Sequence, residues 1–330
     1  MHIRRLDPAE NPADLAAVLP AYSAWESESV PGFPHGANTR LRYAGTDGYQ
    51  QSTDVFGVFA DEHRAEALGL ALYVRELTKN LDLAWAELCI PAASRTPAAY
   101  DALYRQLARV TAQDGRPRLA ITLPESADPA AFAARHNGKL TDTELRSTLD
   151  LSTIDRARFA QWAEPSEKNG GYTLVRWRQC PEEYLPSFCR ALDAMADRPM
   201  GDFAYETSKT APDRIHFADA RAARFEVGRY IVAALDGQGE VAAFHTLAAF
   251  PDEPESIEIN TTGVTRAHRG HGLGLRLKAT AVLWLLEQRP STRWICTSNN
   301  DENTWMLAVN RQLGYQPMQK WPCHEFAVAG

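Results

Sequence analysis

The chain has 330 residues, 45% of them hydrophobic and 23% charged, with a net charge of −7; this is the composition of a folded domain rather than a disordered chain, and the acidic balance excludes a nucleic-acid face, which needs clustered Lys and Arg. No apolar run approaches the ~20 residues of a membrane span and no apolar core follows Met1-His2-Ile3-Arg4-Arg5, so the expectation is a cytoplasmic protein with a small-molecule partner and no membrane partner. Five cysteines, odd in number and without a C-x-x-C pair, indicate neither a disulfide framework nor a zinc site, so no metal is expected.

In chain order the pattern predicts a strand at Ile3–Leu6, a helix at Ala13–Ser27, two strands, and a strand at Asp82–Ile90. A helix at Pro97–Gln113, a strand at Arg118–Leu123, a helix at Pro129–His136 and a strand at Leu145–Leu151 follow. Asp128-Pro129 opens its helix well, with the acid as cap and proline in the first turn. The same order returns from Tyr172. Shifted by about 174 positions, Val55-Phe56-Gly57-Val58-Phe59 lies against Arg229-Tyr230-Ile231-Val232-Ala233, and Glu66-Ala67-Leu68-Gly69-Leu70 against Glu240-Val241-Ala242-Ala243-Phe244. The expected organisation is a first copy at 1–163, a polar, breaker-rich linker at 164–171, and a second copy at 172–330.

One stretch of the second copy carries chemistry. Ser256 to Thr262 alternates as a half-buried strand, with Ile257, Ile259 and Thr261 on one face and Glu258, Asn260 and Thr262 on the other. After the turn, Leu273, Leu277, Ala281, Trp284 and Leu285 recur at helical spacing up to Pro290. Between them Gly270, Gly272 and Gly274 leave main-chain N–H groups bare at a helix start, where free donors and the helix dipole hold an anion such as a pyrophosphate. The triphosphate loop, which ends in Gly-Lys-Ser/Thr, and the dinucleotide G-x-G-x-x-G loop are not spelled here.

Arg269-Gly270-His271-Gly272-Leu273-Gly274 resembles the acyl-CoA loop of the GNAT acetyltransferase superfamily, written R/Q-x-x-G-x-G/A. Ser298 to Asn303 followed by Asn310-Arg311-Gln312-Leu313-Gly314-Tyr315 is similar to its strand-end asparagine and closing helix. The resemblance implies an α/β fold of two GNAT domains in tandem, each a twisted mixed sheet flanked by helices, an arrangement also found in mycothiol synthase. It implies an N-acetyltransferase that uses acetyl-CoA as cosubstrate and a primary amine of a small molecule as acceptor, in a monomer or homodimer. A mycothiol-synthase-like amino-thiol acceptor and a non-catalytic acyl-CoA sensor are the alternatives.

Carried onto this chain, the family pattern places Gly263, Val264 and Thr265 along the pantetheine arm. It places Arg269, Gly270, His271, Gly272, Leu273 and Gly274 at the pyrophosphate, and Asn303 on the pantetheine. Arg276 and Lys278 are candidates for the adenosine phosphates. Glu258, eleven positions before Arg269, is the candidate general base. Where the family places its acidic tyrosine, counted from Asn303, this chain has Asn310, an amide that cannot donate a proton as an acid; either Ser298, Cys296 or Tyr315 is a weak substitute, or the leaving thiolate takes its proton from water or the product ammonium. An acceptor pocket is expected around Asp193, Met195, Asp197, Arg198, Met200, Gly201, Asp202 and Phe203, with Arg214, Arg221 and Arg224 on a following helix. His245 reads as a core histidine. In the first copy, Arg95-Thr96-Pro97-Ala98-Ala99-Tyr100 replaces the glycine loop and Ala84 replaces Glu258. That copy is expected to be degenerate, with Ala98 and Tyr100 filling the pyrophosphate space.

Overall fold

The computed structural model describes residues 1–29, 37–193, 196, 202, 204–207 and 209–328. By contacts the chain forms two compact units: Met1–Arg146 with Met200–Glu206 and Met318–Gly330, and Ser147–Pro199 with Thr207–Pro317. Each is a mixed sheet flanked by helices, the class expected from the sequence.

The first unit orders its strands β1 (His2–Leu6), β2 (Gln51–Phe59), β3 (Gly69–Glu76), β4 (Leu83–Cys89), β5 (Arg118–Thr122) and then β12 (Gln316–Ala327). All neighbours are antiparallel except β4 and β5. Helix α3 (Pro97–Gln113) lays Ala99, Tyr100, Leu103 and Leu107 on one face of this sheet, while α1 (Pro12–Ser29) and α2 (Ala37–Ala44) contribute Val18, Tyr22, Trp25 and Leu41 to a separate core. The pattern had not marked α2, a polar helix with only Leu41 buried.

The second unit orders β11 (Trp294–Asn300), β10 (Ser256–Val264), β9 (Val241–Ala249), β8 (Gly228–Leu235) and β7 (Thr173–Trp177). Strand β9 is buried along its whole length, as a strand covered on both faces must be. Helix α8 (Leu273–Gln288) covers one face with the residues whose spacing announced it: Leu273, Leu277, Ala281, Trp284 and Leu285. Helix α6 (Leu185–Asp193) and α7 (Pro212–Arg224) serve a second core with Phe188, Ile215 and Phe244. The helix α9 (Thr304–Leu313) ends at Gly314, whose φ of 97° only glycine adopts readily.

The compact units are cut differently from the sequence halves. Strand β12 closes the second copy in sequence yet pairs with β5, from Cys323/Thr122 to Ala327/Arg118. Strand β6 (Lys139–Asp150), which follows α4 (Pro129–His136), ends beside β11, where Leu151 N donates to Arg293 O at 2.7 Å. Each copy's last strand thus serves the other copy's unit, at least in part. Helix α5 (Arg156–Ala163), capped by Asp155, packs on α8 and so belongs to the second unit rather than the first copy.

Candidate active site

Strands β10 and β11 are laddered only at Ser256/Trp294, Ile257/Ile295 and Glu258/Cys296. Beyond Glu258 the ladder ends, and among the described residues the β11 side of Ile259–Val264 pairs with no strand. Glu258, half-buried, stands at the last pair before the opening. Its neighbours Ile257 and Ile259 are buried in the core under α8, which puts the carboxylate on the opposite face. The expected alternation breaks at a bulge at Asn260, where the register with β9 slips. Thr262 consequently bonds His245 Nδ1 at 2.8 Å, and does not share the Glu258 face as simple alternation required. His245 is a core histidine, held neutral by burial and by Lys278.

After the strand, Thr265 is spent within the protein: its N–H and Oγ1 donate to Ala242 O, and its carbonyl accepts from His268 N. Arg269 Nε donates to Val264 O at 3.2 Å and draws the loop back on the strand. The main-chain N–H groups of Gly270, His271, Gly272, Leu273, Gly274 and Leu275 then find no acceptor among the described residues. Helix α8 has no side-chain cap, since its cap position is Gly272 at φ 73°. Conformation accounts for glycine at 270 and 272, whose φ values are 83° and 73°. It does not account for Gly274, which is helical, and a Cβ there would meet nothing within 4 Å. A row of unpaired donors, a helix dipole and unfilled space next to Gly274 fit a pyrophosphate.

The segment expected to be a linker braces this loop. Asn169, 6% exposed, donates from Nδ2 to His271 O at 3.2 Å, and Tyr172 Oη bonds His268 Nδ1 at 2.8 Å. Arg276 does not reach outward to a phosphate, as proposed from the sequence. It is buried and bonds the carbonyls of Ala163, Asn169 and Tyr172. Lys278 is likewise buried, with Nζ on Asn310 Oδ1 at 2.9 Å and its pKa pushed down to about 7 by desolvation. Asn303 caps α9 through Oδ1, which accepts from Met306 N at 3.2 Å, leaving Nδ2 as its outward donor. Tyr315 is buried with its phenol pKa driven far up and Cys296 is buried, so neither serves as an acid.

Of the acceptor-side residues, Met195, Asp197, Arg198, Met200, Gly201 and Phe203 lie outside the described residues. Asp193 ends α6 and accepts from Thr210 N at 2.7 Å. Asp202 falls in the first unit, where its N–H bonds Thr141 O at 2.9 Å. Sequence reasoning missed Asn169 and Tyr172, whose polar surroundings carried the composition of a loop.

Residues 192–315 match the Acetyltransferase (GNAT) family model. This part of the chain is a GNAT acetyltransferase domain. Over its whole length the chain has the fold of a tandem GNAT protein from the clavulanic acid biosynthesis pathway, in a structure without AcCoA: TM-score 0.81, 20% identity, covering 100% of this chain and 99% of that one. A GCN5-related N-acetyltransferase from Sphaerobacter thermophilus aligns at TM-score 0.67 and 14% identity over 99% and 96% of the two chains. Another from Kribbella flavida aligns at 0.54 and 15% over 88% and 94%. Comparison with curated proteins finds no match. GNAT domains use acyl-CoA, and the bare loop at the start of α8 has the donor set for its pyrophosphate. Among the described residues no helix is long and apolar enough to cross a membrane, and no His, Cys, Asp or Glu group could hold a metal ion.

Proposed function

We propose that the second copy transfers an acetyl group from acetyl-CoA to a primary amine of a small molecule, with Glu258 as the general base. The observation that carries this reading is the end of the β10/β11 ladder at Glu258, on the strand that leads to a loop whose N–H groups from Gly270 to Leu275 meet no acceptor among the described residues. In this reading the thioester arm lies in the parted strands, along the main chain of Gly263 and Val264, and the pyrophosphate rests on the N–H groups of Gly270 to Gly274. Arg269 adds a charge beside it. Asn303 Nδ2 faces the arm, while its Oδ1 stays with α9. The carboxylate of Glu258 takes the proton of the amine, directly or through water, as nitrogen attacks the carbonyl carbon.

The nucleoside end of the cosubstrate then falls toward Trp305. Lys278 and Asn310, the residues joining α8 to α9, lie at similar depth in their helices. That link lies in the second turn of each helix, close behind both starts. Trp305, in the first turn of α9, is 85% exposed, an unusual position for so large an apolar side chain. Trp305→Ala should weaken acetyl-CoA without changing affinity for acetyl-pantetheine, which lacks the nucleotide.

Thiol release from acetyl-CoA with a panel of amines tests the activity. The buried Asn310, where the family's tyrosine would stand, favours a second reading, a sensor that binds acetyl-CoA without turnover. Tight binding with no thiol release under any amine would establish the sensor and remove the enzyme.

A further inference from the structure

The core between the second unit's sheet and helices α8 and α9 holds a polar layer. Lys278, 1% exposed, donates to Asn310 Oδ1 at 2.9 Å. Asn310, 2% exposed, donates from Nδ2 to Asn299 Oδ1 at 2.8 Å. Alongside, His245 bonds Thr262 at 2.8 Å. Among the described residues Lys278 has no carboxylate partner, and burial is the sole cause acting on its pKa. The groups facing it are His245 on β9, kept neutral, and Tyr315, whose ring centroid is 5.3 Å from Nζ; Cys296 lies beside Tyr315. A buried ammonium without a counter-ion is among the costliest groups a core can hold. The first copy avoids it. The sixth residue of α3, matching Lys278 in α8, is Ala102. The residue whose carbonyl caps the end of α4, as Asn310 does for α9, is Ala133.

The chemistry of the chain gives it a direction. An ammonium donates and cannot accept, so it turns Asn310 Oδ1 inward and Nδ2 outward; Asn310 in turn holds Asn299 Oδ1 and leaves Asn299 Nδ2 pointing onward. Each bond polarises the next, so the last donor is the strongest. Asn299 lies beyond Cys296, the last β11 residue laddered to β10, and so on the part of β11 bordering the opened strands. Its Nδ2 has no acceptor among the described residues.

We propose that Lys278, acting through Asn310 and Asn299, stabilises the negative charge left on the cosubstrate's sulfur when the thioester is cleaved. The inference rests on the acyl-CoA reading above. The amine nitrogen forms the C–N bond as the C–S bond breaks, and the electron pair of that bond leaves with sulfur as a thiolate. The amine's proton passes to Glu258 and on to solvent. The thiolate is held by Asn299 Nδ2 and takes a proton from water as it departs. Lys278 acts in its protonated form, which its lowered pKa of about 7 populates at and below neutral pH and which the developing anion favours, and it is a positioning residue. The missing tyrosine is thus replaced by a buried ammonium, populated at and below neutral pH, that makes a proton donor unnecessary.

The test reads the sulfur directly. The ultraviolet absorbance of the thiolate is titrated for free CoA bound to wild-type protein, to Lys278→Met, which fills the same volume without charge, and to Asn310→Leu, which keeps the lysine and cuts the chain. The expected result is a bound-thiol pKa lower in wild type than in either variant by about one unit or more. CoA affinity should stay within about threefold, while thiol release by Lys278→Met falls about 30-fold or more and its thermal stability does not fall. Equal thiol pKa values in wild type and variants overturn the proposal while leaving the acetyltransferase reading intact. Failure of wild type to bind CoA removes both.

Discussion

In the first copy β4 and β5 stay laddered over five pairs, from Leu83/Arg118 to Glu87/Thr122, whereas in the second the matching strands part after three, at Glu258/Cys296. Both copies pin the following loop in the same way: Arg95 Nε donates to Ile90 O at 3.0 Å, and Arg269 Nε donates to Val264 O at 3.2 Å, at positions 174 apart. From that shared bond the loops diverge. The first reaches its helix at Pro97, which has no N–H, and the donors after Ala98 are consumed: Thr96 Oγ1 and O accept from Ala99 N and Thr96 O also accepts from Tyr100 N, while Glu28 accepts from Ala92 N and Arg95. The second inserts two residues before Leu273 and consumes none from Gly270 to Leu275. On the proposed reading, the first copy keeps the frame without the ligand site, by satisfying internally groups that in the second would meet the ligand.

The largest effect should come from the residue at the fork. Glu258→Gln keeps the shape but removes the proposed base, and turnover should fall about 10²–10⁴-fold with acetyl-CoA affinity unchanged. The first copy has Ala84 there, sealed under the intact ladder. Full activity of the glutamine variant would leave the two forks without a chemical difference. Next, calorimetry should find one CoA site per chain, and Gly274→Val should weaken it at least 100-fold, about 2.7 kcal/mol. Valine suits the helical backbone at that position, and its Cβ meets no protein atom, so unfolding cannot account for the loss. Two equal sites would break the comparison outright.

Much of this difference was legible in the sequence, because it resides in residue types with strong local meaning. The glycines at 270, 272 and 274, the helical spacing from Leu273 and the alanine at 84 all announced themselves. The mechanism of closure in the first copy did not. Aligned by count, Tyr100 falls on Gly274, which puts its phenol in the cradle. In the structure the helix starts two residues earlier relative to the arginine, so Tyr100 turns into the core against Phe132 and the cap of Thr96 does the closing. A loop-length change is invisible without the helix starts. The bracing by Asn169 and the exchange of β6 and β12 were hidden for the same reason, since both depend on pairings distant in sequence.

A third contrast can be read in stability alone. Lys278 has its folded pKa lowered to about 7 by burial, against an unfolded value near 10.4. Between those values the unfolded chain binds the extra proton, so wild-type stability should rise with pH through this window, and the full penalty applies below about pH 7. Relative to Lys278→Met, wild type should gain about 2 kcal/mol from pH 7 to 9 in chemical denaturation. His245 does not contribute there, because its unfolded pKa lies below the window. A flat difference would mean that the ammonium is solvated.

The smallest effect separates the two helix starts. Thr96 lies in extended backbone, and its Oγ1 accepts from Ala99 N at 3.2 Å, a capping bond whose loss costs about 1 kcal/mol. Thr96→Ala should lower stability by that amount and leave CoA binding and thiol release untouched, because the helix it opens meets no ligand. The uncapped α8 supplies the opposite case: its free donors cost stability in the empty protein and are satisfied only by an anion. Acetyl-CoA should therefore raise the melting temperature of the Thr96→Ala variant as much as that of wild type. A smaller rise would place a ligand contact at the first copy's helix start and make that copy part of the site.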